Sequence, residues 1–319
     1  MSILILGANG LAGSAVTRHF RKFSDKNLVC IGSKSELDLR NFTALEKLFS
    51  SNRFEGIIIC AARVGGIGAN QSYPFEFLND NVMIQSNIFE LVKKYKIEKT
   101  IFLGSSCIYP VGTELPIKEE YLKMDGVHPL HEPYAIAKMV GFKSSEYLNK
   151  EYGLDCRSLM PTNLFGPNDN YHQLDSHVVP ALIRKVATAV LNHHEDVVLW
   201  GTGKVFRDIL FSDDLASAIV TIYNADKMEW EKATYGGPSF LNVGSGTEYT
   251  IIEIAEIIGK LLNFKGKFIN DLSKPDGTLS KLLDITRIRS LGWAPEISVE
   301  NGLKATISDY QKNFFKLRH

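Results

Sequence analysis

Ser2-Ile3-Leu4-Ile5-Leu6-Gly7-Ala8-Asn9-Gly10-Leu11-Ala12-Gly13 opens the chain. The apolar run ending at Gly7 has the pattern of a parallel strand buried on both faces. Gly7, Gly10 and Gly13 are then spaced GxxGxxG, and a helix is expected over residues 11–23. In such a turn, backbone N–H groups can approach a pyrophosphate at the helix N-terminus. A plain strand–helix turn uses glycine in the same way, so the downstream sequence has to decide between them.

Outward from this stretch, strand-like and helix-like segments alternate. Strands are expected over residues 27–31, 56–60, 100–103 and 155–159. Asn41 is a plausible N-cap for a helix ending near residue 52, and Pro74 and Pro133 open longer helices reaching about residues 94 and 152. The alternation implies an α/β fold, a Rossmann-type doubly wound parallel sheet. After Pro161 the pattern changes. A turn cluster over 166–170 leads to a helix expected over 176–191. Val197-Val198-Leu199-Trp200, Ile209-Leu210-Phe211 and Phe240-Leu241-Asn242-Val243 then read as short strands. Further helices are expected after Asp213-Asp214, over 250–262 and over 298–315. No internal repeat or low-complexity linker appears, so a smaller α/β substrate-binding lobe is woven from insertions and the C-terminal part.

With 319 residues, 45% of them hydrophobic, the chain can bury a large core. Formal net charge is zero and no Lys/Arg run occurs, which argues against a nucleic-acid partner. No basic n-region precedes the first strand, and no apolar run approaches the roughly 20 residues needed to span a bilayer. The four cysteines, Cys30, Cys60, Cys107 and Cys156, are widely spaced without metal-ligand pairing. His193-His194 reads as a solvated loop. A reduced, cytoplasmic protein without a metal or membrane partner is therefore expected.

Two further stretches carry chemistry. Tyr134 and Lys138, at i and i+4, share one face of a helix. An ammonium there is expected to lower the phenol's pKa, while the phenol keeps a proton to exchange. Gly104-Ser105-Ser106-Cys107 follows the fourth strand, where the Ser105 hydroxyl could hold a substrate oxygen beside that phenol. Together with a dinucleotide these parts describe a carbonyl reductase or alcohol dehydrogenase. NAD readers place an acidic residue at the end of the second strand. Here that end is Cys30-Ile31-Gly32-Ser33-Lys34, with no carboxylate. Ser33 and Lys34 put a hydroxyl and a cation where a 2′-phosphate would lie, although Glu36 and Asp38 follow closely and could compete. The electrostatics of this corner favour NADP(H).

Over nearly its whole length the chain resembles the extended short-chain dehydrogenase/reductases and, within them, the GDP-L-fucose synthase family. The segments that carry the resemblance run in family order. They are Ala61-Ala62-Arg63-Val64-Gly65-Gly66-Ile67, the Ser105–Cys107 motif, Glu132-Pro133-Tyr134-Ala135-Ile136-Ala137-Lys138 and Met160-Pro161-Thr162-Asn163-Leu164-Phe165-Gly166-Pro167. Ser176-His177-Val178-Val179-Pro180, Trp200-Gly201-Thr202-Gly203, Arg207-Asp208 and Ser273-Lys274-Pro275-Asp276-Gly277-Thr278 follow. The Tyr-x-x-x-Lys pair is common to a vast superfamily. Cys107, His177 and the Lys-Pro-Asp-Gly segment are more specific.

The resemblance implies roles for individual residues. Ser105, Tyr134 and Lys138 match a reductase triad, and Cys107 and His177 an epimerisation pair. Pro161, Thr162, Asn163 and Leu164 match a segment lining the nicotinamide. Gly7, Asn9, Gly10, Leu11, Ala12, Gly13, Ser33, Lys34, Leu103, Gly104, Ser106 and His177 complete the cofactor set. Lys185, Trp200, Arg207 and Asp276 match residues that hold a GDP-sugar. Asn9 stands where some bacterial members have a basic residue, and Lys34 where some have Arg. Taken alone, Cys107 reads as a small core residue, His177 as a capping or surface residue, Trp200 as core and Arg207 as a surface cation.

The implied activity is NADPH-dependent 3,5-epimerisation and 4-reduction of GDP-4-keto-6-deoxy-D-mannose to GDP-L-fucose by a homodimer. C4 reduction of a related GDP-keto sugar, such as a keto-heptose, is the alternative. A non-catalytic NADP(H)-sensing protein is disfavoured, since it has no need of the proton donor Tyr134. Residues 1–164, rejoined by about 205–245, are expected to hold NADP(H). Residues 165–204 and 246–319 are expected to hold mainly the GDP-sugar.

Overall fold

A computed structural model describes residues 1–173, 175–274, 276 and 279–314. Pro275, Gly277 and Thr278, Phe315 at the end of the last expected helix, and the terminal residues 316–319 lie outside the described residues. In chain order the first half comprises β1 (Ser2–Leu6), α1 (Leu11–Phe23), β2 (Asn27–Ile31), α2 (Phe42–Ser50), β3 (Phe54–Ile59), α3 (Ile67–Ser72), α4 (Pro74–Tyr95), β4 (Lys99–Leu103), α5 (Glu132–Tyr152) and β5 (Cys156–Pro161). There follow β6 (Asn163–Phe165), α6 (Val178–Leu191), β7 (Asp196–Trp200), β8 (Phe206–Phe211), α7 (Ser212–Asn224), α8 (Lys227–Thr234) and β9 (Phe240–Val243). β10 (Glu248–Thr250), α9 (Ile251–Leu261), β11 (Lys267–Asp271), α10 (Thr286–Arg289) and α11 (Val299–Phe314) complete the chain.

Local chemistry sets these boundaries. The Asn41 side chain accepts the Ala44 N–H at the start of α2. Proline occupies the first turn of both α4 and α5. Left-handed Lys96 and Gly153 end those two helices. Reciprocal capping boxes start α8 (Asp226 with Glu229) and α9 (Thr250 with Glu253).

The main sheet has six strands in the order β2-β1-β3-β4-β5-β9, and every pairing in it is parallel. α1 packs beside α7, whereas α4 packs between α2 and α5. The chain winds outward from β1 to β2, then returns across it to β3. That reversal opens a crevice at the carboxyl ends of β1 and β3, the place where parallel α/β sheets take ligands. Two smaller sheets, β10-β8-β6 and β11-β7, are separate from the main sheet.

Buried apolar residues form two clusters. One spans the main sheet and its helices. The other joins Phe165, the inner face of α6, Val197, Leu199, Phe211, and residues of α9 and α11. Leu283, Ile285, Ile288 and Trp293 pack into the first cluster. Trp293 Nε1 also donates to Ser217 Oγ at 2.8 Å, tying that segment to α7.

Several elements escape the sequence reading. β11 is mostly exposed and shows no apolar run, and β10 has only three residues. α8 is rich in charge and buries only Trp230 and Thr234. Elements of this kind owe their form to neighbours more than to pattern.

β5 is buried along its length, yet it carries Arg157. Its guanidinium donates to both oxygens of Asp155 at 2.7 Å and to the carbonyls of Ile222 and Ala225 at 2.5 and 2.8 Å. The residue thereby clamps the end of α7 to the sheet. Arg157→Ala should cost about 3–5 kcal/mol, because it strands the Asp155 carboxylate, only 11% exposed, and two carbonyls. Urea unfolding monitored by circular dichroism measures this. A loss below about 1 kcal/mol would mean that desolvation cancels the clamp.

Candidate active site

The first loop is built by close approach. Gly7 has φ +85°, and a Cβ there would fall 2.7 Å from Ala61 N on β3's exit. A Cβ on Gly13 would fall 2.1 Å from Gly7 O. These two glycines are therefore required by packing. Gly10 is different: a Cβ there meets nothing closer than Gly7 O at 3.5 Å. It leaves the N-terminus of α1 uncovered, and no side chain caps that helix. Free N–H groups at an open helix start suit a phosphate, so Gly7 through Gly13 fit the diphosphate of a dinucleotide.

At the end of β2, one of the two carboxylates expected as competitors does return to the strand end. A turn from Ser33 brings Glu36 back, and its Oε2 accepts the Gly32 N–H at 2.6 Å. The Asn9 side chain also covers Gly32. Lys34 is exposed, with Nζ 3.8 Å from Asp38. Hydrogen bonds from Arg40, more than any other effect, hold the Asp38 carboxyl down to about 2. Ser33 Oγ lies 2.8 Å from Ser35 Oγ.

Ser105, Cys107, Tyr134 and Lys138 come together where β4 ends beside α5. Gly104 permits the approach, since a Cβ on it would sit 2.1 Å from Met160 Sδ. Ser105 Oγ accepts the Cys107 N–H at 3.2 Å, which leaves its own proton free to donate. Lys138 is buried, and its Nζ donates to Leu103 O at 2.6 Å. The same Nζ lies 5.6 Å from the Tyr134 ring centroid and 5.0 Å from that of Phe102. Ser105, Cys107 and Tyr134 are half-buried, so the three reactive groups reach the cleft while the amine lies behind them.

The electrostatics of this cluster differ from expectation. Burial, with Cys107 adding to it, holds the Tyr134 phenol well above its usual pKa. The ammonium faces the ring and the Leu103 carbonyl, so it does not offset that burial. Tyr134 thus stays protonated, the state that can donate. Burial pushes Lys138 down to about 8, against smaller opposing effects from Cys60 and Cys107.

His177 is the N-cap residue of α6, yet its side chain makes no capping hydrogen bond. That removes one ordinary use for it. Burial lowers its pKa, favouring the neutral imidazole. The preceding segment docks on the loop after β3: Gly66 N donates to Asp175 O at 2.8 Å, and a Cβ on Gly66 would fall 2.8 Å from Ser176 O. A Cβ on Gly65 would in turn touch Phe77, whose ring packs edge-on to Tyr134 at 6.5 Å. These contacts set the segment that leads into His177 against the loop after β3, whose Gly65 borders the ring that faces Tyr134. Thr162 and Asn163, just past β5, both donate to Asp208 O, at 3.0 and 3.2 Å.

The four residues matched to GDP-sugar binding also converge. Trp200 is 65% exposed, so it is not core. Lys185 Nζ lies over its ring at 5.4 Å and donates to Val198 O at 2.9 Å. Asp276 accepts from Thr202 N and Oγ1, both at 2.9 Å. Burial lowers the pKa of Arg207, offset in part by Glu248 and Asp276.

Supporting residues went unnoticed in the sequence. Asn81 accepts the Arg63 N–H at 2.8 Å and donates to Arg63 O and Phe77 O, latching the loop after β3. Gln85 Nε2 donates to Ala137 O at 2.7 Å, beside Lys138. Asp80 binds Arg40 and Arg63 at 2.7 and 3.0 Å. Phe77, Asn81 and Gln85 recur every fourth residue on the buried face of α4, a pattern in which polar members could have been flagged.

In the free protein the Lys138 amine should be cationic below about pH 8 and neutral above it. Carbon-13 NMR of lysine-labelled protein should show one amine with a midpoint near 8 that vanishes in Lys138→Met. Ordinary lysines titrate near ~10.4. A Lys138 midpoint at or above about 10 would show that the Leu103 contact outweighs burial.

A site with these parts has counterparts among known proteins. The model of the NAD dependent epimerase/dehydratase family matches residues 3–235. The GDP-L-fucose synthase of Escherichia coli (strain K12) is 42% identical over 316 residues, 99% of this chain and 98% of that one. A GDP-L-fucose synthetase from Naegleria fowleri, solved bound to NADP, superposes with TM-score 0.86 at 29% identity, covering 100% of this chain and 96% of that one. A GDP-6-OMe-4-keto-L-xylo-heptose reductase from C. jejuni gives 0.88 at 30% identity, covering 100% and 98%. Sequence and fold agree over the full length, and the chain belongs to the NAD dependent epimerase/dehydratase family, on the branch that holds the GDP-L-fucose synthases.

Proposed function

We propose that this protein is an NADP(H)-dependent 3,5-epimerase and 4-reductase that converts GDP-4-keto-6-deoxy-D-mannose to GDP-L-fucose. The observation that carries the reading is the meeting of Ser105, Cys107, Tyr134 and Lys138 at one strand end, with Ser105 linked to Cys107 by hydrogen bond. A plain reductase has no use for the thiol. The Naegleria relative's NADP supports the cofactor assignment. Gly7 through Gly13 hold the diphosphate, Ser33 and Lys34 the 2′-phosphate, and Pro161 to Leu164 line the nicotinamide. When bound, that cofactor supplies the hydride for C4.

Protons beside a 4-keto group are acidic because the carbonyl takes up charge as an enolate. Inversion at C3 or C5 needs a base on one face of the ring and an acid on the other. Cys107 removes the proton, and His177 returns one from the opposite side. Its neutral imidazole carries one N–H, and an enolate opposite favours the cationic form. Ser105 and Tyr134 donate to O4, stabilising the enolate and then the alkoxide. Tyr134 finally gives its proton to O4. Lys138 holds the nicotinamide ribose.

The first core, with the main sheet, carries the cofactor, and the second, with β7 and β11, carries GDP. C4 reduction of a GDP-keto-heptose without epimerisation is the second reading, favoured by the likeness to the C. jejuni reductase. The free cysteines suit a reducing cytoplasm, and among the described residues no helix is long and apolar enough to cross a membrane.

Two variants separate the steps. Tyr134→Phe should fold and bind NADPH yet lose reduction by about 10²–10⁴-fold. Cys107→Ser should stop solvent deuterium from entering C3 and C5 while retaining GDP binding. Undiminished exchange at both carbons would remove epimerisation from the reading and leave the C4 reductase.

Phe75 and Met83 on α4, and Ile136, Val140 and Tyr147 on α5, are exposed apolar residues on two adjacent helices. Such a face suits a two-fold interface with a second copy. Light scattering should give the mass of a dimer, and Val140→Glu should shift it to monomer. A monomeric parent protein would overturn this assembly.

A further inference from the structure

The first loop and the end of β2 are joined through their backbones. The Gly7 and Ala8 N–H groups both donate to Ile31 O, at 2.8 and 3.0 Å. The next residue, Gly32, therefore stands beside the loop that fits the diphosphate, where folds of this kind place the ribose between diphosphate and adenine. A Cβ on Gly32 would fall 2.2 Å from the Asn9 amide, so a neutral side chain closes one side of this corner. The turn that follows is anchored. Glu36 and Leu37 N–H donate to Ser33 O at 3.1 and 3.2 Å, and Leu37 and Leu39 pack on the first core. That turn holds the Glu36 carboxylate against the strand end, with Oε2 accepting the Gly32 N–H at 2.6 Å. Glu36 is exposed, and its Oε1 has no protein partner among the described residues.

The cations of this corner are already engaged. Arg40 gives Nε and Nη2 to Asp38 at 3.0 and 2.8 Å, and Nη1 to Asp80 at 2.7 Å. Those bonds keep Asp38 ionised. Lys34 is exposed and stands 3.8 Å from the same carboxylate. A phosphate dianion arriving here is drawn by Lys34 and repelled by Glu36 and Asp38. A ribose diol brings no charge, and its hydroxyls are donors that a carboxylate accepts.

We propose that Glu36 sets the balance between the two nicotinamide dinucleotides, and that this corner holds NAD(H) as well as NADP(H). The inference rests on the NADP(H)-dependent reading above and adds how strictly the 2′-phosphate is required. For NAD(H), the Glu36 carboxylate keeps its bond to the Gly32 N–H and accepts from the adenosine ribose through Oε1. For NADP(H), the same side chain turns out to solvent. Gly32 N–H and Ser33 Oγ then become donors for the phosphate, and Lys34 exchanges Asp38 for it. Each dinucleotide thus gives up a contact that the other keeps, and the preference for NADP(H) is narrow.

Fluorescence titration of the free protein with NADPH and NADH tests this by binding alone, without turnover. The parent should bind both, NADPH the tighter by about tenfold at most, because the gain at Lys34 is offset by two carboxylates. Glu36→Gln keeps an oxygen acceptor for the Gly32 N–H and removes the charge. It should bind NADPH about 2- to 5-fold more tightly, the scale of one exposed charge. It should bind NADH about 3- to 10-fold more weakly, because a neutral acceptor replaces a charged one. The NADPH gain should shrink in high salt, which screens exposed charge. An unchanged NADPH/NADH ratio in Glu36→Gln would overturn the proposal and leave the carboxylate as the closure of a turn. A parent that prefers NADPH by more than about 100-fold would overturn it while leaving the NADP(H) reading intact. A parent that binds neither dinucleotide would overturn both.

Discussion

The cleft depends on how closely four parallel strands and their exits approach one another at their carboxyl ends. Gly7 against Ala61, Gly13 against Gly7 and Gly104 against Met160 leave no room for a Cβ. Gly7 meets the backbone that leaves β3, Gly104 meets the Met160 side chain on β5, and Gly13 closes the first loop on its own backbone. If any were held apart by a methyl group, the first loop would lift from β3, or Ser105 from β5. Such a site is made of packing first and chemistry second: the sheet sets the positions, and the loops inherit them.

Within that frame the reactive groups divide by burial. Lys138 is enclosed and tied to Leu103, whereas Ser105, Cys107 and Tyr134 remain at the cleft surface. The consequence is opposite to the simplest picture of a Tyr/Lys pair. Burial keeps the proton on the phenol and makes the amine the group that titrates nearest to neutrality. A reductase needs a donor at O4, so a protonated Tyr134 is useful, and a bound anionic cofactor would favour the charged amine.

Polar residues inside α4 join the two halves of the site. Asn81 and Asp80 fix the loop after β3, and that loop receives the segment before His177 through Gly66 and Asp175. Asp80 also reaches Arg40, which holds Asp38 near the second-strand corner. One helix thus braces the dinucleotide corner, the reactive cluster and the start of α6. Such buried polar contacts fix geometry because each group would be costly to leave unpaired.

The sequence by itself determined the layering. Apolar runs ending in glycine, helices opened by Asn41, Pro74 and Pro133, and the i, i+4 spacing of Tyr134 and Lys138 are local properties, and local rules read them. It left other matters open for equally physical reasons. β11 has no apolar signal because it lies mostly exposed and takes its form from pairing with β7. The residues 283–293 went to the first core because Trp293 finds Ser217 there, a contact between distant parts of the chain. Glu36 stood in plain view, but only the turn at Ser33 carries it back to Gly32. The direction of the Tyr134 shift, the absence of a capping role for His177 and the exposure of Trp200 likewise belong to the tertiary structure. Each depends on which neighbours exclude water, and sequence spacing does not encode that when the neighbours come from distant elements.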